Sequence, residues 1–135
     1  MNCRFCHTDQ LRRDPYFIGD HGNAIVRLME DQYFEGWTLV ILKKHIEEYF
    51  ELSVDERNRL ETVMEHVARA IRAVLRPDHL NYALFGNEVR HVHWHVIPRY
   101  EDDGLWGRPP WPHKFKHMRR SEVERLVAAL RAAMR

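Results

Sequence analysis

The sequence predicts an α+β chain built on an antiparallel sheet, with one long helix and one C-terminal helix. Three observations lead there. Residues 91–97 read His-Val-His-Trp-His-Val-Ile, and strict alternation over so short a run marks a strand with two unlike faces. Ser53 and Glu56 form a capping box ahead of apolar residues three or four apart, which marks a long amphipathic helix. The apolar runs then follow the order strand, strand, helix, strand, strand, helix, an α+β pattern. The 135 residues suit a single domain spanning 1–135 with one core.

Each element has its own warrant. Residues 1–23 read as irregular, with turn material at Asp14-Pro15 and from Gly19 to Asn23. Ala24 to Met29 and Trp37 to Leu42 are apolar runs rich in β-branched residues, predicted to pair as an antiparallel hairpin. Leu60, Val63, Met64, Val67, Ile71, Val74 and Leu75 share one helical face, and Pro77 stops the helix. Leu80 to Phe85 is the next strand, with Gly86-Asn87 as punctuation before the histidine strand, and these two pair as a second hairpin. Pro98 is expected to end that strand. Residues 101–120 carry Trp106, Trp111 and Pro109, Pro110 and Pro112 without any period, an ordered loop, lid or subunit contact. Ser121 to Glu124 reads as a second capping box opening a helix over 121–134.

Composition narrows the function. Formal net charge is +1, with 30% charged and 44% hydrophobic residues, so no whole-molecule field argues for nucleic acid or a membrane surface. No apolar run approaches the roughly 20 residues that span a bilayer. The first residues, Met-Asn-Cys-Arg-Phe-Cys, form no apolar signal region, and the default location is the cytoplasm. Cys3 and Cys6 are the two cysteines. In a reducing compartment such a pair reads as half a metal site, a redox pair, or two exposed thiols without a role.

The histidines admit two chemistries. On a strand, His91, His93 and His95 project from one face roughly 6.6 Å apart, while Val92, Trp94 and Val96 face the core. Two imidazoles so placed reach one zinc. A third strains the geometry, because His91 and His95 stand about 13 Å apart at the backbone and zinc–nitrogen bonds are about 2 Å. Alternatively, a neutral imidazole is a good nucleophile near pH 7 and carries a phosphoryl or nucleotidyl group covalently. The middle residue, His93, has a partner on each side and is the natural nucleophile. The plainest reading is three exposed strand histidines with local hydrogen bonds.

The segment His91 to Ile97 resembles the signature of the histidine triad (HIT) family of nucleotide hydrolases and transferases. Gly36-Trp37-Thr38-Leu39-Val40-Ile41-Leu42-Lys43-Lys44-His45 is similar to the family's hairpin strand, and Leu80-Asn81, Gly86-Asn87 and Ile97-Pro98-Arg99-Tyr100 follow its order. The likeness covers about residues 1–100 and is closest to the zinc-binding bacterial branch that includes diadenosine tetraphosphate hydrolases. It implies a HIT-like fold, a two-fold homodimer and a purine nucleotide substrate. By the resemblance, His93 attacks the α-phosphorus and forms a nucleotidyl-histidine that water then hydrolyses. His95 serves the phosphate and the leaving oxygen, and His91 completes the triad. Asn81, Gly86, Asn87 and Val89 fall where the family meets the phosphates, and Asp31 is a candidate for the ribose hydroxyls. Ile25 and Leu39 are candidates for the base pocket.

The resemblance also implies a structural zinc held by Cys3, Cys6, His45 and His91, closing an N-terminal clip over residues 1–23. Two departures stand out. Glu88 replaces a hydroxyl residue beside the phosphates, where a carboxylate is repulsive unless it points away or the leaving group is cationic or smaller. Trp37 occupies a position held by histidine in several branches. The expected activity is hydrolysis of purine dinucleoside polyphosphates. Nucleoside phosphoramidate hydrolysis or nucleotidyl transfer are the alternatives within the family, and a zinc-stabilised nucleotide-binding module is the alternative outside enzymology.

Overall fold

Ser53 accepts the Glu56 N–H while Glu56 bonds back to the Ser53 N–H, so the capping box forms and opens helix α2, Val54–Leu75. Arg76 ends it in the left-handed region at φ 50°, one residue before Pro77, which disfavours helical geometry in its neighbour. Among the described residues there are two further α-helices, α1 (Thr8–Arg13) and α3 (Arg120–Ala133), 3-10 turns at Arg4–Cys6 and Tyr49–Glu51, and five strands: β1 (Phe17–His21), β2 (Ala24–Leu28), β3 (Thr38–Leu42), β4 (His79–Ala83) and β5 (His93–Arg99). The computed structural model describes residues 2–135.

The strands form one antiparallel sheet in the order β1-β2-β3-β5-β4. Both faces of its centre are covered. On one face, Val26, Leu28, Val40, Leu42 and Val96 pack with Leu60, Val63, Val67 and Ile71 of α2 and with Val123, Leu126, Val127 and Leu130 of α3. On the other, Ile25, Leu39 and Ile41 pack under Cys3, Phe5 and Leu11 of the N-terminal segment. Double coverage buries every residue of β2 and β3, so the two strands do not alternate; Arg27, the one charged residue among them, is paired with Asp14 and Glu30. His93 and His95 sit opposite Ile41 and Leu39, and so belong to the face covered by the N-terminus.

Several boundaries differ from the sequence reading, each for a physical reason. Residues 2–23 are not irregular: they hold a 3-10 turn at Arg4–Cys6, then α1 and β1. Helix α1 is one short element with Leu11 as its buried residue, too brief to show a period. Strand β1 lies at the sheet edge with Ile18 buried between more exposed neighbours, so its apolar signal is thin. Strand β5 runs through Pro98. Arg99 turns its carbonyl toward the Asp78 N–H at 3.0 Å, so Pro98 faces the opposite side, where pairing with β3 has ended at Val96. A missing donor costs nothing there. Helix α3 starts one residue early, with Arg119 as N-cap. Glu122 pairs with the Arg119 guanidinium at 2.6 Å, so Ser121 lies within the helix and no capping box forms.

Residues 100–119 fold back on the sheet through two buried polar anchors. Arg99 donates to Asp103 at 2.8 Å, to Asn81 Oδ1 at 2.8 Å, and to the carbonyls of Leu105 and Arg108. Asp31 accepts from His113 at 2.6 Å and from the backbone N–H groups of Tyr33 and Lys116. Among the described residues, no helix is long and apolar enough to cross a membrane.

The Arg99 anchor yields a stability prediction. Arg99 and Asp103 are 3% and 4% exposed at their side chains. Arg99→Met leaves a buried carboxylate without its partner and is expected to cost about 3–5 kcal/mol, read as a lowered denaturant midpoint. The segment after residue 100 should become sensitive to limited proteolysis.

Candidate functional site

His91 precedes β5 and is fully buried. Its ring Nε2–H donates to the Leu42 carbonyl, which leaves Nδ1 unprotonated and turned outward. Nδ1 lies 3.4 Å from Cys3 Sγ, 3.6 Å from Cys6 Sγ and 3.2 Å from His45 Nδ1. Cys6 Sγ lies 3.3 Å from His45 Nδ1, and all four ligand atoms fall within 4.8 Å of one another. A tetrahedron built from zinc bonds of about 2.0–2.3 Å has edges of roughly 3.3–3.8 Å. The cluster therefore has the size, donor types and histidine tautomer of a closed four-ligand site.

His93 is set by the same residue. Its Nδ1–H donates to the backbone carbonyl of His91 at 2.6 Å, so its Nε2 keeps a free lone pair. Burial lowers its basicity, and the charge of Arg4 lowers it further. Phe5 presses on the ring edge-on, with centroids 4.8 Å apart. His95 follows two residues on. Its Nδ1 accepts the indole N–H of Trp37 at 3.0 Å, and burial together with His93 holds its pKa down at about 4.

Both histidines open onto a cleft of about 500 Å³. Its apolar wall is Met29, Trp37, Leu39, Phe85 and Trp111, a flat aromatic and aliphatic lining of the kind that holds a ring system. Its polar rim is the turn from Gly86 to Val89. Gly86 has φ 74°, a conformation that L side chains rarely adopt. Arg4 and Glu30 line it as well. Glu30 holds Arg4 at 3.2 Å and is itself held by the buried Arg27 at 2.7 Å.

The sequence-derived candidates thus separate. His93, His95, Gly86, Asn87 and Val89 line the cleft, while Cys3, Cys6, His45 and His91 form the cluster behind it. His91 does not line the cleft, because its ring is turned into the cluster; it reaches His93 through its carbonyl. Asn81 is not among the lining residues either, since its side-chain oxygen accepts from Arg99. The assignment of Asp31 to ribose hydroxyls is corrected: its carboxylate is buried and bound by His113 and two backbone N–H groups. Glu88 is exposed, and it lies on the rim of the cleft and of the neighbouring groove beside Arg90. Leu39 lines the cleft and Ile25 packs in the core beneath it.

Sequence reasoning missed Arg4 and Phe5 as cleft residues. They are the two residues between the cysteines, so any closure of the Cys3–Cys6 clip places them, and that spacing was the available signal. It also missed Trp111 as a wall of the cleft and Trp37 as the partner of His95. Neither shows a periodicity.

Comparison with known proteins gives a consistent result. The family model described as the HIT domain matches residues 12–102. An uncharacterized HIT-like protein of Mycoplasma genitalium is 32% identical over 105 residues, covering 74% of this chain and 74% of the relative. The crystal structure of a histidine triad protein from Bradyrhizobium japonicum superposes with a TM-score of 0.83 at 29% identity, over 93% of this chain and 95% of that one. A zinc-bound histidine triad family protein from Mycobacterium smegmatis superposes with a TM-score of 0.76 at 28% identity, over 99% and 94%.

The His95 environment carries a pH prediction. Its folded pKa of about 4 lies below the ordinary 6.5. As pH falls through that window, the unfolded chain takes up a proton that the folded chain refuses, and stability drops by up to about 3 kcal/mol. His95→Asn, which cannot titrate, should remove that share of the acid destabilisation. Denaturant midpoints of both proteins at pH 7 and pH 4.5 measure it.

Proposed function

This chain belongs to the histidine triad (HIT) family, generally nucleotide hydrolases and transferases, and we propose that it is a nucleotidyl hydrolase cleaving purine dinucleoside polyphosphates at the α-phosphate. The observation that carries the reading is the His93 hydrogen bond to the His91 carbonyl at 2.6 Å. It fixes the proton on Nδ1 and leaves Nε2 as a lone-pair nucleophile facing a nucleotide-sized cleft.

In the first step, Nε2 of His93 forms a bond to the α-phosphorus. The bond from phosphorus to the bridging oxygen breaks, and its electron pair leaves with the released nucleotide. The imidazole becomes a cationic nucleotidyl-histidine that keeps its Nδ1–H against the His91 carbonyl, so the developing charge already has an acceptor. In the second step, water bonds to phosphorus and the Nε2–P bond returns its pair to the ring. Nucleoside monophosphate departs, and the water's proton passes to solvent. His95 holds a phosphate oxygen, the N–H groups from Gly86 to Val89 hold the others, and the base stacks against the apolar wall. Arg4 attracts the phosphate chain at the mouth.

A second reading follows from Glu88 on the rim. A carboxylate beside a phosphate site favours a leaving group with positive charge, as in nucleoside phosphoramidates. Nucleotidyl transfer to an acceptor other than water uses the same intermediate.

The cluster of Cys3, Cys6, His45 and His91 would hold zinc, supplying a rigid closed structural centre. These residues would then tie the N-terminus to the catalytic strand and keep Phe5 against His93. We further propose a two-fold homodimer through β4. This strand is one of the two sheet edges, and its Leu80 and Tyr82, with Trp94 of β5, border a groove with Met64 and Ala68 of α2. A second copy pairing edge to edge would satisfy the open strand.

Purified protein given diadenosine polyphosphates and, separately, an adenosine phosphoramidate should turn over the first. His93→Ala should lower kcat by at least about a thousandfold; unchanged turnover overturns the mechanism. Elemental analysis should give close to one zinc per chain, and Cys6→Ser should lower both metal content and thermal midpoint. Tyr82→Asp should convert the dimer to monomer by light scattering.

A further inference from the structure

The hydrogen bond between Trp37 and His95 has a chemical consequence for the leaving group. We infer that Trp37 is a positioning residue that holds His95 as the neutral Nε2–H tautomer, and so commits the site to leaving groups that depart without a proton. That excludes efficient release of amines. The specificity part rests on the hydrolase reading above; the tautomer part does not.

The indole nitrogen donates only. Trp37 Nε1–H lies 3.0 Å from His95 Nδ1, with both residues buried. His95 Nδ1 must therefore accept, and the ring's single proton sits on Nε2. Protonating Nδ1 would face two N–H groups across that distance and leave two buried donors unsatisfied. The indole cannot swing away to relieve this. Phe34, Trp111 and His113 pack edge-on around it at centroid distances of 6.3, 5.6 and 5.6 Å, and it is 2% exposed. The His113 wall is itself fastened by Asp31 at 2.6 Å, so the buried carboxylate acts indirectly on the cleft.

A neutral Nε2–H is a good hydrogen-bond donor to a phosphate oxygen and a poor acid. A departing phosphate or polyphosphate needs no proton. A departing amine does, and the neutral Nε2–H of His95 is too weak an acid to supply it. A histidine in place of Trp37 offers both a donor and an acceptor nitrogen, so it would not impose one tautomer. The indole therefore decides between the two readings left open by the acidic rim, in favour of anhydrides.

Long-range 15N–1H correlation of the imidazoles in the wild-type protein tests the tautomer directly. His95 should show Nδ1 unprotonated and Nε2 protonated at pH 7, and a protonated Nδ1 overturns the inference. Trp37→Phe keeps an apolar ring and deletes the donor. It should bring a mixture of tautomers, and an unchanged spectrum would equally overturn it. General acid catalysis is worth roughly 10²–10⁴-fold, so wild type should favour diadenosine tetraphosphate over an adenosine phosphoramidate by at least about a hundredfold in kcat/KM. Trp37→Phe should narrow that ratio. A wild-type preference for the phosphoramidate overturns the specificity assignment. If wild type hydrolyses neither substrate while the spectrum is as stated, the hydrolase reading falls and the tautomer assignment stands. Should Trp37→Phe fail to fold, the wild-type spectrum and ratio still decide.

Discussion

His91 is the residue on which the rest of the site depends, because three separate groups of one amino acid act in three directions. Its Nε2–H binds the Leu42 carbonyl and locks the strand end to β3. Its Nδ1 completes the cluster with Cys3, Cys6 and His45. Its backbone carbonyl accepts the hydrogen bond of His93 Nδ1–H and so determines which nitrogen of that ring is free. Each bond constrains the next: a rotated His91 ring would break the cluster, and a shifted carbonyl would release the His93 tautomer. No other side chain type supplies a fixed donor and an acceptor facing the cluster on one rigid ring.

The sheet converts that local constraint into a cleft. Helices cover one face, which frees the other for the N-terminal segment and the histidines. Arg4 and Phe5 reach the cleft because the residues on either side of them are the cluster's cysteines. The far wall is built on the opposite principle. Trp111 and His113 come from a segment with no regular structure, held by the buried Arg99–Asp103 ion pair and by the hydrogen bond from His113 to Asp31. Breaking either one would strand a buried carboxylate, and the arrangement they hold packs Trp111 and His113 against Trp37.

Much of this was legible from residue order. Ser53, Glu56 and Pro77 bracket α2 at both ends, because caps and breakers are local chemistry. The alternation around His93 separated ligand-facing from core-facing positions, with Val92 and Val96 buried as expected. What stayed hidden depends on chain segments meeting across long separations. Asp31 looked like a free acid after a strand, yet its partner His113 is 82 residues away. Asn81 looked like a phosphate ligand until Arg99 claimed its oxygen. Strand β1 and helix α1 were missed because each buries one residue beside exposed neighbours, too little for a period to register. Glu88 shows the reverse limit: the sequence revealed the anomaly, and only the fold put the carboxylate on the cleft rim.

The central claim is that His93, oriented by the His91 carbonyl, becomes covalently nucleotidylated. The most direct measurement is acid-free rapid quenching of a diadenosine tetraphosphate reaction, followed by tryptic digestion and fragmentation of the peptide spanning 91–99. The account predicts a peptide heavier by one adenylyl group, with the added mass assigned to His93 and absent from His93→Ala. An unmodified peptide during active turnover, or an adduct on His91 or His95, would contradict it.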